Sequence, residues 1–101
     1  MPTCDITEYF HLASDSDGDV VPSGLEPSHR NQQLTPGAVA VVSQPLHENT
    51  RFIRLHTDSI IRVKISAGGA ADQTCMRLGA GQTEFLGVRT GQLTVSIIAS
   101  T

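Results

Sequence analysis

Residues 51–66, RFIRLHTDSIIRVKIS, carry the clearest alternation in the chain. In the first half Ile53 and Leu55 point one way, and Phe52, Arg54 and His56 the other. In the second half Ile61, Val63 and Ile65 share one face, opposite Ile60, Arg62 and Lys64. A period of two with branched aliphatics on one side marks half-buried strands. Placing both apolar sets on the same face requires an odd-numbered connection, so the pattern predicts a hairpin closed by Thr57-Asp58-Ser59. Leu55 would then face Ile61, and Ile53 would face Val63. The outward side would gather Phe52, Arg54, His56, Ile60, Arg62 and Lys64 into a basic, partly apolar surface.

Working outward, shorter runs of the same kind appear on both sides. Residues 38–43 (AVAVVS) precede the hairpin and are separated from it by Pro45 and HENT. After the turn Ala67-Gly68-Gly69-Ala70-Ala71 come residues 73–78 (QTCMRL), 83–88 (TEFLGV) and 93–99 (LTVSIIA). Gly87 suggests a bulge or a close approach, and Leu93, Val95, Ile97 and Ala99 read as inward. Gly79-Ala80-Gly81 and Arg89-Thr90-Gly91 supply the intervening turns. About six short strands at roughly ten-residue spacing predict an all-β fold, a small β-sandwich or barrel. No segment reads as a helix.

The N-terminal third is different. Residues 1–12 hold a small apolar cluster, Tyr9, Phe10 and Leu12, and residues 13–36 are rich in Asp, Ser, Gly, Pro, Asn and Gln with little periodicity. The pattern predicts an extended acidic N-terminal arm over residues 1–36 and a β domain over 37–101. Charge follows this division. Residues 1–50 carry seven acids (Asp5, Glu8, Asp15, Asp17, Asp19, Glu26, Glu48) against Arg30 alone. Residues 51–101 carry six bases (Arg51, Arg54, Arg62, Lys64, Arg77, Arg89) against Asp58, Asp72 and Glu84. Oppositely charged halves attract within a chain or between copies, more weakly as salt rises.

With 101 residues, 39% hydrophobic, 17% charged and no Trp, the chain supports one modest core. That size disfavours a large enzyme with a deep pocket, and no apolar run has the roughly 18 residues of a membrane span. The start, MPTCD, lacks the basic and apolar regions of a secretory signal, and Cys4 and Cys75 read as two reduced thiols. The expected compartment is the cytoplasm.

Catalytic signals are few. Asp15, Asp17 and Asp19, with Glu26 at the twelfth position, echo a calcium loop, but Val20 occupies the position that needs Gly. His11, His29, His47 and His56 lack metal-ligand spacing. Neither nucleophile elbow nor phosphate-binding loop is present. The expectation is a non-enzyme with no metal and no cofactor. Partner binding is assigned to Phe52, Arg54, His56, Arg62 and Lys64. A glycan-binding β module is an alternative, for which Tyr9, Phe10, Phe52 and Phe85 would be the stacking rings. Nucleic acid is disfavoured by the net charge of −3 and the scarcity of exposed aromatics.

The C-terminal half resembles small structural proteins encoded beside capsid and tail genes in tailed bacteriophages. The matching stretches are residues 52–58, 62–65, 78–85 and 91–98: an Arg-apolar strand ending in Asp, a second strand, a Leu-Gly-Ala-Gly-Gln-Thr-Glu-Phe strand and a Gly-Gln-Leu-Thr-Val finish. The resemblance implies a capsid decoration (cement) protein that binds the major capsid protein. It further implies a homo-oligomer, most simply a trimer, assembled in the host cytoplasm and located in the virion. A head–tail connector or tail-associated protein is the alternative within that group.

Overall fold

The computed structural model describes residues 2–10, 12–14, 20–24, 28, 30–89 and 92–101, with backbone alone for 12–14 and 20–24. The fold is all-β, as the alternation predicts. In chain order the strands are β1 (Cys4–Tyr9), β2 (Leu12–Ser14), β3 (Val20–Gly24), β4 (Arg30–Leu34) and β5 (Val41–Val42). They continue with β6 (Phe52–Thr57), β7 (Ile61–Ser66), β8 (Met76–Leu78), β9 (Thr83–Gly87) and β10 (Thr94–Ala99). Two four-stranded antiparallel sheets result, the first ordered β4-β1-β6-β9 and the second β5-β10-β7-β8. A separate pair, β2-β3, completes the set. The ten strands among the described residues exceed the expected six because β1 to β4 lie in the region read as an arm.

The alternation assigns the inward faces correctly. Cys4 and Ile6 of β1 and Ile53 and Leu55 of β6 meet Ile61 and Val63 of β7, Leu78 of β8 and Val95 and Ile97 of β10 in one buried cluster, with Leu46 added from a loop. Period-two burial of this kind is what two sheets packed face to face require. The cluster between the sheets contains no aromatic ring, and the buried Tyr9 lies on the opposite side of β1.

The predicted hairpin is not formed. β6 and β7 are joined by Thr57-Asp58-Ser59, but they belong to different sheets and face one another across the core. Both edges of β6 are already paired, with β1 (Ile6 opposite Leu55) and with β9 (Leu86 opposite Ile53). The connection itself is held by its flanks. The Thr3 amide donates to Asp58 Oδ1 at 2.7 Å, and the Gly81 amide donates to the Thr57 carbonyl at 2.8 Å. Alternation specifies a face and not a partner, so the same pattern served for a strand pair and for a sheet-to-sheet crossing.

The arm expected over residues 1–36 is also corrected. β1 is an interior strand of the first sheet, between β4 and β6, and Cys4, Ile6, Glu8 and Tyr9 are buried. β4, from the same stretch, forms that sheet's edge. The composition concealed this because the inward positions of β4 are Arg30, Gln32 and Leu34, two of them polar and satisfied by side-chain hydrogen bonds.

Two glycine-containing turns have defined work. Gly81 has φ +78, and the Gln82 amide donates to the Gly79 carbonyl at 3.0 Å. This places Gly81 where a type II turn demands positive φ. The Gly/Ala stretch expected to be a simple turn lies instead against the outside of the second sheet. There the Ala71 amide donates to the fully buried Ser96 Oγ at 2.8 Å. A Cβ at Gly69 would meet Ser66 Oγ at 2.9 Å and Lys64 Nζ at 3.0 Å, so a larger residue there would have to displace those side chains.

Candidate functional site

In an antiparallel pair, residues directly opposite one another share a face. Phe52 lies opposite Tyr9 on one side and Gly87 on the other, and Arg54 lies opposite Thr7 and Phe85. Tyr9, Phe52 and Phe85 therefore all project from the outer face of the first sheet, with Phe10 at its end. These are the chain's four aromatic residues. Tyr9 and Phe85 stack with tilted rings, centroids 6.3 Å apart. Phe10 meets the His47 ring edge-on at 5.6 Å and is 36% exposed.

Beyond the last residues of β1 and β9 and the first of β6 an open cleft of about 880 Å³ is lined by Phe10, Asn49, Arg51, Phe52, Gly87, Val88 and Arg89. Backbone bonds carry the ladders past the strand ends and hold its walls together. The Arg51 amide donates to the Tyr9 carbonyl at 3.1 Å, and the Val88 amide donates to the Arg51 carbonyl at 2.8 Å. Gly87, opposite Phe52, carries no side chain to cover the ring. Arg51 and Arg89 are exposed, and neither side chain has a hydrogen bond or ion pair among the described residues. The cleft thus offers aromatic faces between two available guanidinium groups.

The five residues assigned to partner binding from the sequence do not form one surface. Phe52, Arg54 and His56 share the outer face of the first sheet, where His56 Nδ1 and Thr83 Oγ1 form a hydrogen bond of 2.7 Å. Arg62 and Lys64 lie on the outer face of the second sheet, a sandwich thickness away. There Arg62 donates to the Cys75 carbonyl at 3.1 Å and stands opposite Arg77. The separation follows directly from the crossing that replaces the hairpin. Arg51, Arg89 and Asn49 were missed because they sit just outside strands, whereas Phe10 figures as a site residue only as a stacking ring for the glycan-binding alternative. The signal that could have found the region is that no aromatic occupies an inward position of any alternating run.

A second polar constellation lies inside the sandwich. Glu8 shares the inward face of β1 with Cys4 and Ile6 and is fully buried. Its Oε1 accepts from the His47 amide and from Thr50 Oγ1, each at 2.8 Å. Its Oε2 accepts from Gln32 Nε2 at 3.4 Å and pairs with Arg30 Nε at 3.4 Å. Arg30 donates onward to the Pro45 carbonyl at 3.0 Å and to Gln44 Oε1 at 2.9 Å. Gln32 clasps the backbone of Gln44 through both ends of its amide. A buried carboxylate so fully bonded fastens β1 and β4 to the 43–50 loop, and that loop supplies Asn49 to the cleft.

Burial pushes the Cys4 thiol up to about 12, with Asp5 and Asp58 adding to the effect. Both cysteines are free. The Asp72 carboxyl is held below its usual range by the Thr74 hydroxyl and amide and by the Cys75 thiol. Among the described residues no group of three His, Cys, Asp or Glu side chains converges as a metal site would require. Asp15, Asp17, Asp19, Glu26, His11 and His29 lie outside the described residues, as do Thr90 and Gly91 of the last predicted turn. Among the described residues no helix is long and apolar enough to cross a membrane.

No family model matches the chain, and no solved structure matches it. Part of a protein of Emericella nidulans, the nonribosomal peptide synthetase inpB, is 28% identical to it over 95 residues. That alignment takes in 94% of this chain and 4% of the synthetase.

Proposed function

We propose that the chain is a non-enzymatic binding module that docks on a larger protein assembly through the outer face of its first sheet. The observation that carries this reading is the distribution of rings. The rings of Phe52, Phe85 and the buried Tyr9 project to that face and Phe10 stands at its end, while aliphatic residues fill the cluster between the sheets. Aromatic and Arg side chains in solvent reach are the groups enriched at protein interfaces, where a few of them supply most of the binding energy. Arg54 sits among these rings with no hydrogen bond or ion pair among the described residues. In the form that the sequence resemblance suggests, the assembly is a phage capsid and the chain a homo-oligomeric decoration protein on the major capsid protein.

A second reading takes the assembly to be a multidomain enzyme in which a small β unit serves as a docking piece. It is favoured by the alignment of nearly the whole chain with a short part of a peptide synthetase.

Site-specific photo-crosslinking in the producing cell tests the proposal. A photoreactive residue at His56, on the outer face of the first sheet, should capture a partner protein. The same group at Lys64, on the opposite face, should capture much less. The captured protein, identified by mass spectrometry, separates capsid from synthetase. Equal capture from both faces, or none from His56, would overturn the proposal.

A further inference from the structure

The cleft at the end of the first sheet has a chemistry narrower than that of the face as a whole. We propose that it binds an acidic peptide segment of the partner, one in which carboxylate side chains flank an aromatic or large aliphatic residue. The inference rests on the reading of the outer face of the first sheet as a binding face, and names the partner chemistry at its end.

Three features lead to that ligand. First, Arg51 and Arg89 come from two different strand ends, are exposed, and have neither hydrogen bond nor ion pair among the described residues. A guanidinium offers a planar fork of donors that fits a carboxylate with two parallel bonds. Second, Phe10 and Phe52 both line the cleft, and Gly87 sets no side chain over the half-buried ring of Phe52. An apolar side chain seated there loses its contact with water while its flanking carboxylates reach the rim. Third, the cleft is open and about 880 Å³ in volume, sized for a few residues of extended chain. Asn49 adds a side-chain amide, a donor and an acceptor for the backbone of such a segment.

Nucleic acid is the competing polyanion, and the observations disfavour it. The net charge of −3 opposes any anion at long range, and it opposes a dense, extended line of phosphates more than a short segment whose few carboxylates reach the two arginines. Two arginines in one cleft also neutralise few phosphates. Of the other bases without a hydrogen bond or ion pair among the described residues, Arg54 alone shares this face, and Lys64 and Arg77 lie on the other sheet and cannot extend the same track.

The test is titration of the full chain with a fluorescent ten-residue peptide, acetylated and amidated at its ends, that alternates aspartate with leucine and phenylalanine. Binding is expected for this peptide and not for its asparagine counterpart. The double variant Arg51→Gln with Arg89→Gln should weaken binding at least tenfold, while Lys64→Gln with Arg77→Gln leaves it unchanged. Raising salt from about 0.05 to 0.5 M should weaken it as well, since the Debye length falls from about 14 to 4 Å. Phe52→Leu should lower affinity with the melting temperature preserved, which separates loss of ring surface from loss of fold. Equal binding of the asparagine peptide, indifference to the arginine pair, or displacement of the peptide by an oligonucleotide would each overturn the inference. If His56 crosslinks a partner while the acidic peptide fails to bind, the binding face stands and the peptide proposal falls. If the peptide binds at the cleft while His56 captures nothing, the cleft stands and the wider docking face falls.

Discussion

Thr50 Oγ1 donates to Glu8 Oε1 at 2.8 Å, joining residues 42 positions apart inside the sandwich. Glu8 is fully buried, and its partners among the described residues include the His47 amide, Gln32 and Arg30. Removing the carboxylate takes this acceptor from the His47 amide, Thr50 Oγ1 and Arg30 Nε at once, while Gln32 and the rest of the Arg30 guanidinium keep their bonds to residues 44–45. Glu8→Ala should therefore destabilise the fold by about 2–4 kcal/mol, the range for losing a buried, charge-assisted hydrogen-bond set. Glu8→Gln should cost less, because one carbonyl oxygen still accepts. Urea denaturation of the two variants measures the difference, and equal, negligible effects would show that the network contributes nothing net.

Deleting residues 1–36 should abolish cooperative unfolding. The deletion withdraws β1 from between β4 and β6, removes β4 as well, and exposes the inward faces of Ile53 and Leu55. Differential scanning calorimetry is decisive here. A truncated chain that still melts in one sharp transition would show that the second sheet and β6 with β9 are self-sufficient.

The Cys4 thiol, pushed up to about 12 by burial, keeps its proton in the folded state while the unfolded chain loses it near 9. Above that pH the unfolded state binds fewer protons, so stability falls as pH rises from 9 toward 12. The slope reaches at most about 1.4 kcal/mol per pH unit for one such group. Cys4→Ala should flatten this alkaline decline even if it lowers stability at pH 7. At neutral pH iodoacetamide should label Cys75, which is half-buried, well before Cys4.

Gly81→Ala should destabilise by about 1–2 kcal/mol, because φ of +78 crowds a Cβ against the following carbonyl. Gly37→Ala, where φ is not positive and a Cβ would meet its nearest atom at 4.0 Å, should be close to neutral. Thermal melts of the pair provide the comparison.

The parts of the fold legible in the sequence are those that depend on local alternation. Ile53, Leu55, Ile61, Val63, Val95 and Ile97 all occupy inward positions as expected. What alternation cannot convey is which strand pairs with which, and the crossing between β6 and β7 turned on that. It separated Arg62 and Lys64 from Phe52, Arg54 and His56, so the expected binding surface divided between two faces. β1 escaped notice for another reason. Its inward set is Cys4, Ile6 and Glu8, and a carboxylate at the third position hides the apolar pattern unless its distant partners are known.

The topology also has a kinetic consequence during synthesis. β1 is synthesised before the strands it pairs with, and its interior place in the first sheet requires β6, about fifty residues later. β7 must likewise wait for β10 before the second sheet has its centre. Every long ladder in the molecule joins remote segments, which slows folding through the entropy of closing large loops. A nascent chain therefore carries unpaired, aliphatic strand edges until residues 94–99 are free, a period in which a chaperone or a pre-existing partner surface could shield it from aggregation.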